Sequence, residues 1–254
     1  GIKIIISVRD FPWDEPHHNQ LQDWVLYTQN IVCKYYADSI LVHGDKRILP
    51  LISDRTRQAN SVQIIKDIEH LVQYTGYVCD EKQPVHNQKD NNIYVSTGLN
   101  KDESVLLFKK IAEIAHHYPD HKFIMPIANK YNSMGGRRNK NIYLVEYVPE
   151  LRKKLTTCAA YITYGGYNAT VEILKGQIPS IVVPRQSGKK MEQFIRAFTF
   201  EPYDFYKVLT LQEFNNIKIV LDEILNGYKP KPFEFNLKGA SNTARFLAGM
   251  YNEL

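Results

Sequence analysis

Long apolar runs are missing from this chain. No segment approaches about 18 consecutive apolar residues, so no membrane-spanning helix is expected. Residues 2 to 8 are apolar but carry neither a basic flank nor a small-residue cleavage site, and they do not read as a signal peptide. The chain starts at Gly1 without an initiator methionine and enters an apolar run at once. Cysteine is scarce, with 3 in 254 residues. Cys33, Cys79 and Cys158 lie 46 and 79 residues apart, a spacing that builds neither a disulfide framework nor a zinc site and predicts reduced, half-buried thiols. Blocks of like charge are absent too. The net charge of +5 and pI near 8.9 are mildly basic, so no nucleic-acid tail is expected and a small anionic ligand is compatible. No internal repeat or low-complexity tract occurs. These absences fit a cytoplasmic protein, and peripheral contact with a membrane surface stays compatible.

The chain is 44% hydrophobic and 23% charged, which is ordinary for a globular protein with a substantial core, in one large domain or two smaller ones. Its pattern alternates. Residues 2 to 8 read as a strand buried on both faces, and "QLQDWVLYTQNIVCKYY" has apolar residues near helical spacing. "SILVH" then reads as a strand, "SVQIIKDIEHLV" as a helix and "YTGYV" as a short strand. The polar segment 79 to 91, with Pro84, is the best linker. Alternation then restarts with "NIYVST", the helix "DESVLLFKKIAEIAHHY", the strands "KFIMPI" and "NIYLVEYV", and a short helix opened by Pro149 at its first position. After them come "AAYITY", the helix "NATVEILKG" closed by Gly176, "SIVVP" and the helix "KKMEQFIRAFTF". This argues for parallel sheets covered by helices.

Ligands of such sheets bind beyond the carboxyl ends of the strands. Three of those ends carry suggestive chemistry. In "STGLN", Gly98 would let a backbone approach a phosphate, although any strand-to-helix turn uses such a glycine. In "YITYGGYNATVE", Gly165 and Gly166 clear space at the start of a helix opened by Asn168, Ala169 and Thr170, whose N-terminal dipole favours an anion. Glu172 stands six residues past Gly166. A carboxylate offset from a phosphate by the length of a sugar accepts two hydroxyl hydrogen bonds from a ribose, and the same residue is also an ordinary stabilising acid for that helix end. In "PRQSGKKMEQ", Arg185, Lys189 and Lys190 supply positive charge, and Glu192 with Gln193 suits a polyhydroxylated ligand or simply a solvated helix start.

Strand, Gly-Gly, a Glu six residues on, then a Glu-Gln pair followed by Arg-Ala, resembles the nucleotide-sugar lobe of GT-B glycosyltransferases. The nearest likeness is to the lipid-linked N-acetylglucosaminyltransferase of peptidoglycan synthesis and to uncharacterised predicted glycosyltransferases. In the latter, "SVRD", "VHGD", "YTGYV", "GGYN" and "PR" before "EQ" stand in the same order, so the resemblance covers nearly the whole chain. It implies an α/β, GT-B-like fold with two Rossmann-like parallel-sheet lobes, the N-terminal one incomplete. The lobes would be residues 1–78, a linker at 79–91, and a nucleotide-sugar-binding lobe at 92–254 with a C-terminal helix. It also implies a donor site in which Gly165 and Gly166 approach the diphosphate, Glu172 holds the ribose, and Glu192 and Gln193 hold the sugar, with Gly98, Asn168, Thr170 and Arg185 alongside. The chain departs from the family pattern in placing Ala169 where a threonine is usual and in its glycine-poor "STGLN" loop.

The activity implied is transfer of a sugar from a nucleotide-diphospho sugar, a UDP-sugar first, to an unidentified acceptor. It would be inverting and metal-independent, with no cofactor, because helix dipoles and basic side chains stabilise the leaving diphosphate. No Asp-x-Asp motif occurs. The general base would belong to the N-terminal part, where Asp10, His17, His18, His43 and Asp45 stand at strand ends or loops, with His43, Asp45 and Asp10 as the candidates. Residues 1 to 78 offer only about three strands, so an upstream region or a partner chain is expected to complete that lobe. Two alternatives stay open: a hydrolase or epimerase of the same fold, and a non-catalytic donor-binding half that needs a partner chain.

Overall fold

The computed structural model describes residues 2–9, 34–48, 66–80, 90–96, 101–126, 139–185 and 192–252. Its strands, in chain order, are β1 (Ile5–Val8), β2 (Ser39–Val42), β3 (Val72–Tyr74), β4 (Asn92–Val95), β5 (Lys122–Pro126), β6 (Ile142–Val145), β7 (Ala160–Thr163), β8 (Ser180–Val182) and β9 (Lys207–Val208). Its helices are α1 (Lys101–Ile114), α2 (Leu151–Leu155), α3 (Tyr167–Gly176), α4 (Glu192–Phe200), α5 (Ile217–Leu225) and α6 (Gly239–Asn252). Every strand pair in the two sheets is parallel, as the alternation of strands with helices requires. None of the described helices is long and apolar enough to cross a membrane.

The chain falls into two compact units, one made of Gly1–Glu81 with Glu234–Leu254 and the other of Lys82–Phe233. The first holds a three-stranded sheet in the order β1-β2-β3. The central strand β2 is buried along its whole length, which is why "SILV" shows no polar alternation. Ile40, Val42 and Ile68 form the core there, with Ile6, Val8, Leu71 and Val72 packed against them. Two expectations shift. The first strand is confined to Ile5–Val8, because Ile2 and Ile4 are exposed. The third strand ends before most of "YTGYV": Gly76 takes a left-handed φ of 90° and turns the chain out of the sheet.

That turn receives the C-terminal segment. Tyr77 N–H donates to the Asn236 carbonyl at 2.8 Å, Gly239 N–H to the Tyr77 carbonyl at 3.0 Å, and Asn242 Nδ2 to the Thr75 carbonyl at 2.8 Å. A side chain at Gly76 would meet Asn236 atoms at about 2.5 Å. The residues from Glu234 onward, expected with the second lobe, therefore group with the first unit.

The second unit carries a six-stranded sheet in the order β6-β5-β4-β7-β8-β9. Its core joins Ile93, Phe123 and Ile162 of the sheet to Leu107 and Ile111 of α1 and Leu221 of α5. Two helix ends differ from expectation. α2 starts after Pro149 at Leu151, with Glu150 left-handed (φ 51°) at its N-cap. α3 includes Gly176 as its last residue and passes the left-handed position to Gln177 (φ 44°), because Ile178 packs where a Gly176 Cβ would stand, 2.9 Å away. Cys158 is buried and Cys79 half-buried, both reduced.

Candidate functional site

The order of the second sheet sets the place. From β4 the chain moves outward through β5 and β6, and from β7 outward the other way through β8 and β9. The reversal between β4 and β7 is a topological switch point, where such sheets open a crevice at the carboxyl ends of their strands. Ser96 follows β4, and Gly165 and Gly166 follow β7 after Tyr164. A hydroxyl cluster joins the two strand ends. Ser96 Oγ lies 2.7 Å from the Tyr161 hydroxyl and donates to Thr163 Oγ1 at 3.1 Å, and Ser96 N–H donates to the Ile162 carbonyl at 2.9 Å. Burial pushes the Tyr161 phenol above its ordinary pKa, so it stays protonated.

Gly165 is left-handed, with φ 73°, and a Cβ there would stand 2.7 Å from Val182 Cγ1. Gly166 is extended and serves as the N-cap of α3, and as a glycine it offers that helix no capping side chain. The first N–H groups of α3 therefore keep their polarity at the strand end. A Cβ on Gly166 would meet the Tyr164 ring at 2.7 Å. Thr170 is buried, and its hydroxyl donates to the Gly165 carbonyl at 3.3 Å, while Asn168 is exposed.

Glu172 projects from α3 with its side chain 16% exposed, and Arg152 of α2 pairs with it, Nε to Oε1 at 3.0 Å. Arg185 follows Pro184 beyond β8 and is half-buried. On α4, Glu192 is exposed and forms an ion pair with Arg196, one turn on. Gln193 is half-buried, and its Oε1 is buried without a hydrogen-bond partner among the described residues. Arg196 itself is 3% exposed; its Nη1 donates to the Gly165 carbonyl at 2.7 Å, and its guanidinium carbon lies 5.9 Å from the Tyr167 ring centre. The glycine turn, α3 and the first turns of α4 thus form one connected group. Asp10, His17, His18, Gly98, Lys189 and Lys190 lie outside the described residues.

His43 and Asp45 belong to the first unit. His43 follows β2, with Nδ1 2.7 Å from Thr75 Oγ1 and Nε2 2.8 Å from Ser7 Oγ. Burial lowers its pKa, so the neutral ring is the stable form near pH 7. Asp45 is almost fully buried. It accepts from the Arg47 N–H at 3.0 Å, from Arg47 Nε at 2.9 Å and from Arg47 Nη2, and from the Asn236 N–H at 3.4 Å. Burial alone would raise its pKa, but these donors outweigh it and hold the carboxyl below its usual range. Arg47 also donates to the Glu234 carbonyl at 2.6 Å. Asp45 with Arg47 therefore clamps the C-terminal segment.

Arg196 entered the sequence reading only as the Arg of the Arg-Ala that follows Glu192-Gln193, with no role assigned, and Arg152, Ser96 and Tyr161 were not singled out. Arg196 also had a local signal, a basic residue four places after Glu192, the spacing of a helical ion pair. The other three had none, because sheet order and helix adjacency create their contacts.

No protein-family model and no curated protein matches the sequence. Solved structures do. The glycotransferase of kitacinnamycin aligns with 75% of this chain and 47% of its own, at 15% identity and a TM-score of 0.55. LpCGTa in complex with UDP aligns over 92% and 55%, at 15% identity and 0.56. UGT89C1 of Arabidopsis thaliana complexed with UDP aligns over 98% and 67%, at 12% identity and 0.58. The likeness shows the fold, the GT-B arrangement of parallel α/β sheets. The chain spans about half to two thirds of the length of these structures.

Proposed function

We propose that this chain binds a nucleotide-diphospho sugar, a UDP-sugar first, at the carboxyl ends of β4 and β7 and serves in transferring the sugar to an acceptor hydroxyl. The observation that carries the reading is the Gly165–Gly166 turn. It lies at the switch point of the second sheet, turns through the left-handed conformation that glycine adopts without strain at Gly165, and leads into a helix N-terminus whose N-cap residue has no side chain. The diphosphate would lie against that turn with Asn168, Thr170 and Arg185 nearby, and Gly98 stays a candidate from the sequence alone. Glu172 would accept from the ribose hydroxyls, and Gln193, whose buried carbonyl oxygen has no partner among the described residues, would accept from a sugar hydroxyl with Glu192 beside it. The order of the motifs supports a relationship to the uncharacterised predicted glycosyltransferases, and the Gly-Gly, Glu172 and Glu192-Gln193 pattern supports one to the lipid-linked N-acetylglucosaminyltransferase of peptidoglycan synthesis.

Chemically, an acceptor oxygen attacks the anomeric carbon while the bond to the diphosphate breaks, inverting that centre. The oriented N–H groups of α3 and a basic side chain receive the charge developing on the leaving diphosphate, and this needs no metal. The acceptor proton must pass to a base. Asp45 is held by Arg47, and both ring nitrogens of His43 are engaged by hydroxyls, which supports a second reading: a donor-binding chain that turns over only with a further region or partner. Calorimetric titration with UDP- and TDP-sugars, followed by a labelled-donor transfer assay with and without acceptors, tests both. Binding without transfer selects the second reading; product without acceptor selects a hydrolase or epimerase; no binding of any donor rejects the site.

A further inference from the structure

We infer that Arg196 is a positioning residue that aims the Gly166 N–H toward the bound diphosphate, an inference that rests on the donor-site reading above. The argument begins at one carbonyl. Gly165 O accepts from Arg196 Nη1 at 2.7 Å and from Thr170 Oγ1 at 3.3 Å, so its direction is fixed from the α4 side and from within α3. A trans peptide is planar, with its C=O and N–H pointing opposite ways. Holding the Gly165 carbonyl toward Arg196 therefore turns the Gly166 N–H away from it. That N–H is left without an acceptor among the described residues, at the N-cap of an uncapped helix. A left-handed glycine has weak intrinsic preference for one peptide orientation, and it needs such an external hold.

Three facts suit Arg196 to the task. It is 3% exposed, so solvent does not compete for its donors. Glu192 takes its Nη2, and Tyr167 lies against its guanidinium, 5.9 Å from ring centre to the guanidinium carbon. Its charge is thus partly balanced within the fold. Arg196 also sits one turn after Gln193, so the same side chain ties the register of the glycine turn to that of α4. Glu192, held by Arg196, would then act through the arginine, while Gln193 meets the ligand.

The test compares Arg196→Met and Arg196→Lys with Ile173→Val, a buried change in the same α3 helix that loosens packing without touching the peptide. UDP is the probe, titrated calorimetrically. Arg196→Met is expected to weaken UDP by ~10-fold or more, the scale of one charge-assisted hydrogen bond lost at the site, with Arg196→Lys between it and the parent. Ile173→Val should bind as the parent does. With 15N-glycine labelling and no ligand, the Gly166 amide resonance should shift or broaden in Arg196→Met and hold in Ile173→Val. Unchanged UDP affinity, equal weakening in Ile173→Val, or an unmoved Gly166 resonance would overturn the inference. If Arg196→Met does not fold, Arg196→Lys carries both readouts. A parent protein that binds neither UDP nor TDP would remove the donor-site reading, whereas the ligand-free resonance decides separately whether Arg196 holds the peptide.

Discussion

Replacing Gly165 by alanine is the sharpest perturbation of the proposed site, because its cost to the fold follows from two independent terms. The first is backbone: at φ 73° an L-residue pays roughly 1–2 kcal/mol for the left-handed conformation. The second is packing. The new methyl would stand 2.7 Å from Val182 Cγ1, and Val182 is wholly buried on β8, so strand or helix must shift, at about 1–3 kcal/mol. Together they predict a loss of about 2–5 kcal/mol, which for a unit of this size lowers the melting temperature by roughly 5–15 °C. Gly166→Ala provides the contrast. Its φ of −61° is ordinary, and the group it meets is the outer edge of the Tyr164 ring, which can swing aside. It should leave stability within about 1 kcal/mol of the parent while displacing the Tyr164 ring beside the turn against which the diphosphate is proposed to lie. Thermal unfolding and UDP titration of both variants separate fold from site. A Gly165→Ala protein melting within about 2 °C of the parent would refute the strain argument. A Gly166→Ala protein with full UDP affinity would move the diphosphate elsewhere.

Glu172→Ala should weaken UDP-sugars with a stability cost of at most ~1 kcal/mol, since its ion pair is with a largely exposed arginine; unchanged titration curves for every donor the parent binds would remove it from the site. His43 predicts a pH dependence. Its folded pKa lies below the ordinary 6.5, so the unfolded state binds more protons in the interval between them. The stability from His43 is complete above about pH 6.5 and is lost as pH falls toward its lowered folded value. The urea midpoint should fall more steeply over that interval in the parent than in His43→Gln, and equal slopes would exclude the histidine as the cause. Gly249→Ala, inside α6 with open space around its Cβ position, should raise stability by about 0.5–1 kcal/mol in urea unfolding; a loss would mean that the position is not the open helical site it looks.

The parallel α/β architecture was legible because β2, β7 and β8 are buried throughout and leave unbroken apolar runs between helical segments. The glycine pair was legible as a pair, but the need for it differs between the two: Gly165 is left-handed against buried Val182, whereas Gly166 is extended and meets only the Tyr164 ring. The third strand was misplaced onto "YTGYV" because Tyr77 is buried, and burial in a turn against the C-terminal segment leaves the same apolar signature as burial in a strand. The return of residues 234–254 to the first unit had no local signal. It depends on backbone hydrogen bonds, to which sequence composition is blind, and on Gly76 and Gly239 approaching so closely that a Cβ on Gly239 would lie 2.4 Å from the Gly76 carbonyl. Arg196 was hidden for a third reason. Its decisive partner is a main-chain carbonyl 31 positions earlier, brought near only by the β7-β8 pairing and the packing of α4.

Two carboxylates taken as candidates from the sequence, Asp45 for the base and Glu172 for the ribose, have opposite circumstances, and the difference bears on which can serve a ligand. Asp45 is 5% exposed and held by several donors, two of them from one guanidinium that also reaches the Glu234 carbonyl. Withdrawing those donors would strand a buried charge, at a cost of roughly 3–5 kcal/mol. A ligand hydroxyl would have to supply that much before it gained anything. Among the described residues Glu172 faces one cation, Arg152, whose side chain is 65% exposed. Arg47, itself 57% exposed, gives Asp45 three bonds, whereas a single bond to a solvated arginine is worth about 0–1 kcal/mol. Two ribose hydroxyls could replace it while the arginine swings into solvent, so the exchange is nearly neutral on the protein side and the ligand keeps most of its binding energy. A carboxylate that must change partners in each binding event is better kept in a weak pair than a strong one. By that criterion the contacts of Asp45 serve the fold, and of the two carboxylates Glu172 is the one whose partner a ligand would displace more cheaply, as the proposed donor site requires.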